Sequence, residues 1–334
     1  MKAMRIQFSA PRVAELVEFE PRPVQDGDVA VTTQFSAVSN GTERACLLGA
    51  PNTAHAGFPK TLGYSSVGIV AEVGAAVADV KVGDRVLVYH GIHASRNVVA
   101  AGQTTRIADD RIASTDAALV IIAAMGLGGV RKLELEIGES AMVVGLGLLG
   151  LFAVQFCRLS GADPVIAVDP DRNRRALALT LGADNAFDPT DADFADQVQA
   201  VTGGKGVRGI VEVTGVAAAL NQALTCAARQ GRIALLGCTR VSDAAIDFYR
   251  QVHVPGIRLI GAHNLVRPKV ESYPHHWTHQ DDCQAILRMV ANGRVRIQPI
   301  VTEIVPPADA PAIYRRLADG VLPAGVLFDW TGKC

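Results

Sequence analysis

The sequence predicts an α/β protein in two parts, a small β-rich domain followed by a doubly wound parallel sheet. Three observations carry this. Short alternating apolar runs, broken by glycines, fill the first third of the 334-residue chain. From about residue 118, strand-like and helix-like runs alternate, as they do when helices cover a parallel sheet. Near the head of that second part, an apolar run at 141–144 meets Gly145, Gly147 and Gly150 in the order G-x-G-x-x-G, and a helical run follows.

In chain order, strands are expected at 4–8, 14–19, 28–35, 66–73 and 84–89, with turns marked by Gly27, Gly63, Gly74 and Gly83. That spacing suits a small barrel or sandwich. The buried strand 141–144 feeds a helix from 147, with Leu151, Val154, Gln155 and Arg158 at helix spacing. Strand 165–168 feeds a helix from 171, and strand 209–214 feeds a helix from 216. Strands at 232–237 and 258–261 complete the sheet. An amphipathic helix at 281–292 groups Ala285, Ile286, Met289 and Val290 on one side, and 297–305 and 325–330 are expected to return as strands to the first part. Domain boundaries follow at 1–121, 122–264 and 265–334.

The glycine turn has a physical reason. The first glycine permits the tight turn, the second lets a pyrophosphate approach the backbone, and the third lets helix pack on strand. The N–H groups of Leu148 and Leu149 then open a helix whose N-terminus favours an anion. A lone glycine pattern is weak, and a glycine-rich turn with no ligand is its plain alternative. Context strengthens it, because Asp169 closes the next strand 19 residues after Gly150, close to the ~20 expected of an acid that binds the adenosine ribose hydroxyls. A carboxylate there would repel a 2′-phosphate, which favours NAD over NADP. The alternative for Asp169 is a helix N-cap.

Composition excludes several classes. Apolar residues make up 49%, charged residues 19%, and the net charge is −1. No basic stripe marks a nucleic-acid binder, and no apolar run free of charge, Gly and Pro is long enough to span a membrane. No leader-like run opens the chain. The cysteines at 46, 157, 226, 238, 283 and 334 form no C-x-x-C, so they read as reduced thiols of a cytoplasmic protein, and their spacing gives no zinc site.

The segments Gly63-x-x-x-x-Gly68-x-Val70, Val73-Gly74 and Val82-Gly-Asp-Arg-Val86, followed by the 145–150 turn, resemble the medium-chain dehydrogenase/reductase superfamily over essentially the whole chain. The resemblance implies a GroES-like catalytic domain, an inserted dinucleotide-binding Rossmann domain, a C-terminal return, and a homodimer built on the cofactor domain's edge strand. Where zinc alcohol dehydrogenases carry Cys-Gly-Thr/Ser-Asp, this chain has Asn40-Gly41-Thr42-Glu43. Where they carry Gly-His-Glu, it has Gly63-Tyr64-Ser65, and the third ligand position falls near Val120. Residues 87–103 hold no cysteine of a structural zinc lobe. Zinc needs three or four N, S or carboxylate ligands, so the expectation is a zinc-free member. Ser39–Arg44 with Gly63–Ser66 is most similar to a branch containing bacteriochlorophyllide dehydrogenase-like proteins and dehydrogenases fused to a second oxidoreductase domain.

Without zinc, side chains must supply the proton relay and the oxyanion donor. The resemblance places Asn40, Thr42, Tyr64 and His90 at the vacated pocket. His90 is the leading acid–base candidate, since histidine titrates near neutrality. Tyr64 is the donor or alternate, and its alternative is an aromatic plug. His90 could equally shape the pocket from its loop, as His93 could beyond it. Thr42 matches a hydroxyl relay and could instead make a local turn bond. Glu43 matches an acid that supports the zinc site, but a surface pair with Arg44 is the favoured reading. By position, Arg174 reaches the adenosine ribose, and Thr214, Gly215, Gly237, Cys238, Ala262, His263 and Asn264 stand at strand ends facing the cofactor. For Cys238 a backbone contact is favoured over a nucleophile. His275-His276-Trp277-Thr278-His279 looks like a metal cluster, but Pro274 precedes it and no acid or cysteine has ligand spacing, so substrate or subunit contact is favoured. The leading function is NAD-dependent interconversion of a secondary alcohol and ketone on a cyclic, sugar-like or natural-product small molecule. An alkene or quinone reductase and an inactive nucleotide-binding scaffold are the alternatives.

Overall fold

The computed structural model describes residues 2–53, 57–242 and 245–332. The chain divides into two compact units, Met1–Ile122 with Cys283–Cys334, and Ala123–Asp282. Residues 265–282, expected in the C-terminal return, group with the second unit.

In the first unit, β1 (Ala3–Ala10) and β2 (Val13–Phe19) pair as an antiparallel ribbon. The larger sheet holds β3 (Asp28–Ala37), β4 (Ser65–Val73), β5 (Arg85–Tyr89), β6 (Arg96–Ala100) and β7 (Thr104–Arg106). Helix α1 (Asn40–Leu47) follows β3, the short α2 (Ser114–Ala117) follows β7, and α3 (Val120–Arg131) comes next. Alternation in β3, β4 and β5 buries Val29, Val31, Val70, Val86 and Val88 on one side in a valine-rich core. Branched side chains of this kind pack well on a pleated surface. The ribbon and α1 contribute Ile6, Phe8 and Leu47 to a second core that includes Tyr314, Phe328 and Trp330. Burying each such side chain is worth about 1.5–3 kcal/mol.

The second unit contains a six-stranded parallel sheet. Its strands are β8 (Ala141–Val144), β9 (Val165–Val168), β10 (Asn185–Phe187), β11 (Val207–Glu212), β12 (Ala227–Leu235) and β13 (Arg258–Gly261), in the order β10-β9-β8-β11-β12-β13. The helices between them are α4 (Leu148–Leu159), α5 (Arg172–Thr180), α6 (Phe194–Val201) and α7 (Ala217–Cys226). Met142, Ile166, Ile210 and Ile233 from four strands pack with Phe194 and Val198 of α6 and Leu224 of α7. Strand order reverses between β8 and β11, and ligands of doubly wound sheets bind in the crevice at that point, outside the carboxyl ends of the strands.

Helix α8 (His279–Ala291) starts two residues before its expected position. The return is shorter than expected. Residues 298–300 form one 3₁₀ turn and only β14 (Glu303–Val305) is strand, because Pro299 has no N–H for a ladder. Helix α9 (Ala310–Ala318) and β15 (Val326–Asp329) follow, and β15 pairs with both β14 and β3.

Candidate active site

The nucleotide cradle is built in the second unit. Gly145 leaves β8 at φ +94°, and a Cβ there would come within 2.7 Å of Thr214. A Cβ on Gly150 would stand 1.9 Å from the Gly145 carbonyl oxygen, so only glycine lets α4 pack on the turn. Gly147 is different: it precedes α4 with ordinary backbone angles, and a Cβ on it would meet nothing within 4 Å. Its surroundings are open, as the approach of a phosphate requires. The N–H groups of Leu148 and Leu149 open the first turn of α4 beside it. These features fit a dinucleotide.

Asp169 is 5% exposed. Its Oδ2 accepts the Leu146 N–H and its Oδ1 the Asp171 N–H, each at 2.8 Å. The carboxylate therefore ties the glycine turn to the end of β9, and one lone pair on each oxygen is left for a ribose hydroxyl. It is not the N-cap of α5. Asp171 is, accepting the N–H groups of Asn173 and Arg174. Arg174 Nη1 lies 3.7 Å from Asp169 Oδ2. Thr214 has its hydroxyl committed to Glu212 and to the Val216 N–H, so it orders its own loop and offers only backbone to a ligand. A Cβ on Gly215 would meet the Cys238 carbonyl at 2.6 Å, and one on Gly237 the Gly215 nitrogen at 2.3 Å. Ala262 donates to the Leu235 carbonyl, and His263 Nδ1 accepts the Leu265 N–H, which caps the turn that Asn264 begins.

A polar set is built in the first unit. Tyr64 ends the approach to β4, with its hydroxyl 2.6 Å from Ser39 Oγ. The residue as a whole is half-buried, and burial pushes its phenol well above its ordinary pKa, with the charge of Glu43 pushing the same way. The Ser39 and Thr42 hydroxyls pull only part of this back. Tyr64 is thus a hydrogen-bond donor near neutral pH, not a base. His90 directly follows β5 at φ +60°, its ring tilted 33° to that of Tyr89 with centroids 3.7 Å apart. His90 is exposed to solvent, and the partial burial it has lowers its pKa from the ordinary value, which leaves it a neutral acceptor at pH 7. Its backbone N–H donates to the Tyr64 carbonyl. Thr42 lies in the first turn of α1 rather than in a loop.

The residues at the zinc-ligand positions do not fit a zinc ion. Asn40 turns its Nδ2 to the carbonyls of Leu322 and Pro323, at 3.3 and 3.0 Å. Tyr64 is a protonated phenol, and Val120 is a fully buried alkyl side chain. The Asn40 Oδ1 is buried with no partner among the described residues.

The expected surface pair of Glu43 and Arg44 does not form. Glu43 is 0% exposed, and Arg44 turns away to the carbonyls of Leu317 and Ala318. The Glu43 carboxylate accepts the Ser39 N–H at 2.9 Å, the Tyr314 hydroxyl at 2.7 Å and His93 Nε2 at 3.1 Å. A buried carboxylate demands such donors. His93 Nδ1 meets Ser36 Oγ at 2.7 Å, and Ser36 Oγ accepts the Trp330 indole N–H. His93 therefore sits in the loop between β5 and β6, as expected, but its ring is buried in the core. Ser39, Ser36, Tyr314 and Trp330 carried no sequence signal, except that Ser39 directly precedes the Asn-Gly-Thr-Glu segment.

Of the 275–279 histidines, His275 and His276 lie outside any helix and only His279 is helical, as the first residue of α8. Tyr273 and His276 pair through their backbones with rings stacked at 4.7 Å, and His275 has φ +66°. Trp277 covers the Arg131 guanidinium at 4.0 Å, and Arg131 and Arg267 both bond the buried Asp282. Among the described residues, no group of three or more His, Cys, Asp or Glu is arranged to hold a metal.

Two family models match the chain: an alcohol dehydrogenase GroES-like domain over residues 25–133, and a zinc-binding dehydrogenase domain over residues 149–293. The D-guloside 3-dehydrogenase of Escherichia coli K12 is 28% identical over 94% of this chain and 96% of that protein. The L-threonine 3-dehydrogenase of Pyrococcus furiosus is 27% identical over 73% of this chain and 74% of that protein. A candidate zinc-binding dehydrogenase from Sinorhizobium meliloti 1021, solved bound to NADP, superposes with a TM-score of 0.81 at 23% identity, covering 98% of this chain and 99% of that one. With the GroES-like unit, the doubly wound sheet and the glycine turn in place, the chain belongs to the zinc-type alcohol dehydrogenase-like medium-chain dehydrogenase/reductase superfamily, whose named relatives are oxidoreductases acting on alcohols.

Proposed function

We propose that this protein is a zinc-independent, NAD-dependent dehydrogenase that interconverts a secondary alcohol and its ketone on a cyclic, sugar-like substrate. The observation that carries the reading is the Tyr64 hydroxyl. It is held 2.6 Å from Ser39 Oγ, and it stays protonated at the position where zinc relatives place a ligand histidine. The branch resemblance rests on the segments 39–44 and 63–66, which contain this pair. A relative named for oxidation at position 3 of gulosides supports a sugar-like ring.

Each residue then has a task. The turn at Gly145, Gly147 and Gly150 and the first N–H groups of α4 bind the pyrophosphate, and Asp169 and Arg174 hold the adenosine ribose. NAD, when bound, supplies the acceptor for the hydride leaving the alcohol carbon. Tyr64 donates to the substrate oxygen and stabilises it as charge develops. His90, neutral at pH 7, takes the proton that the hydroxyl releases, and Thr42 relays it. In the reverse direction the imidazolium returns that proton to the carbonyl oxygen. Asn40 offers its unpartnered Oδ1 to a substrate hydroxyl. The reading extends to a cytoplasmic homodimer, for which β13 is one of the two edge strands of the six-stranded sheet. No helix among the described residues is long and apolar enough to cross a membrane.

The test is titration with NAD and NADP, followed by turnover on a panel of pyranosides, polyols and enones. Saturable NAD binding and oxidation of a ring hydroxyl support the reading. Preference for NADP overturns the cofactor assignment, turnover of enones alone overturns the reaction, and failure to bind either nucleotide overturns the whole.

A further inference from the structure

None of the steps above uses the carboxylate of Glu212. It ends β11, next to the point where strand order reverses, and it is 1% exposed. Its Oε1 accepts the Thr214 N–H at 2.7 Å, the Thr214 hydroxyl, and the Gly215 N–H at 3.2 Å. Its Oε2 takes only the Gly215 N–H, at 3.3 Å. Burial raises the pKa of this acid and the three donors oppose the rise, but each of these contacts to its two oxygens comes from a donor, which is the pattern of a loop folded around a carboxylate. The Thr214 loop is in turn pressed against the glycine turn after β8 and against Gly237 after β12, with no room for a Cβ at Gly145, Gly215 or Gly237. Three strand ends thus close on one another beside the buried Glu212 side chain.

A dinucleotide fold holds one nucleoside in each half. Asp169 after β9 assigns the adenosine half, and the turn after β8 assigns the pyrophosphate. The second nucleoside is left for the ends of β11, β12 and β13. It carries the nicotinamide ring, which is cationic when oxidised and neutral when reduced. A fixed anion in a medium of low dielectric acts on that difference.

Resting on the NAD reading above, we propose that Glu212 is a positioning residue for the nicotinamide half of the cofactor, and that its charge tilts the site toward the oxidised dinucleotide over the reduced one. In Glu212→Gln, an amide oxygen at the Oε1 position keeps the three donors and removes the charge, while the amide nitrogen at the Oε2 position gives up only the second, 3.3 Å contact with the Gly215 N–H. Thr214→Val does the reverse, removing the two bonds of the hydroxyl, to Glu212 and from the Val216 N–H, and keeping the charge.

The experiment is calorimetric titration of the whole protein with NAD+ and with NADH at pH 8, for wild type and both variants, with circular dichroism to confirm folding. The expected result for Glu212→Gln is a rise in the ratio Kd(NAD+)/Kd(NADH) of about tenfold. For Thr214→Val both affinities fall by the same factor. A ratio within twofold of wild type in Glu212→Gln overturns the proposal. So does a shifted ratio in Thr214→Val, which stays informative even if the glutamine variant does not fold. If wild type binds neither form, the NAD reading falls and this inference with it. If it binds both and only the ratio is unmoved, the NAD reading stands and the role of Glu212 does not.

Discussion

In the proposed function, the nucleotide cradle and the Tyr64 set hold a polar ligand by opposite means. The cradle works with backbone: Gly145, Gly147 and Gly150 lie within six residues, and each acts by lacking a Cβ. The Tyr64 set works with side chains brought from far apart. Ser36, Ser39, Glu43, Tyr64, His93, Tyr314 and Trp330 are linked by hydrogen bonds across most of the chain. A backbone site tolerates change around it and fails at one atom. A side-chain network spreads its dependence over every member, because each buried polar group needs its partner.

The largest expected effect breaks the network at its centre. Glu43→Ala leaves the Ser39 N–H, the Tyr314 hydroxyl and His93 without their acceptor in a buried setting, so unfolding by urea should show a loss of about 3–5 kcal/mol. A loss under 1 kcal/mol would mean the network is not coupled as its geometry says. Next is Tyr64→Phe, which keeps the ring and removes the donor. Steady-state kinetics should show kcat lower by about 100-fold with little change in nucleotide affinity.

Gly147→Ala sharpens the contrast from the other side. Its Cβ meets nothing in the protein, so the melting temperature should hold within about 1 °C, since surface changes of this kind fall within ±0.5 kcal/mol. NAD affinity should still fall by about tenfold, because the methyl group occupies the approach of the pyrophosphate. The smallest effect concerns pH. His90 has a pKa held below 6.5 by burial, so the base form is present at pH 7 and kcat/KM should fall only as pH drops through that lowered value. In His90→Gln this acid limb should vanish from the profile. Tyr64, pushed upward, adds no titration of its own below pH 10.

The same contrast explains what could be read from the chain. The α/β class, the alternation of strand and helix and the glycine turn were legible because period, glycine spacing and the distance to Asp169 are local properties. The double duty of Asp169, which accepts the Leu146 N–H, was not, since it depends on how β8 and β9 align. Glu43 was misread as a surface partner of Arg44 because adjacency in sequence says nothing of burial, and α1 turns the two side chains apart. Glu212 carried no signal at all, because its partners are backbone N–H groups two and three residues on. The return was overextended because apolar residues around Pro299 imitate a strand that proline cannot complete.

The central claim is that polar side chains do the work zinc does in relatives. The most direct measurement is NAD-dependent turnover of a ring alcohol before and after exhaustive chelation, with metal content determined on the same sample. The account predicts full activity in chelated protein and less than stoichiometric zinc. Activity that disappears on chelation and returns with one equivalent of zinc would contradict it.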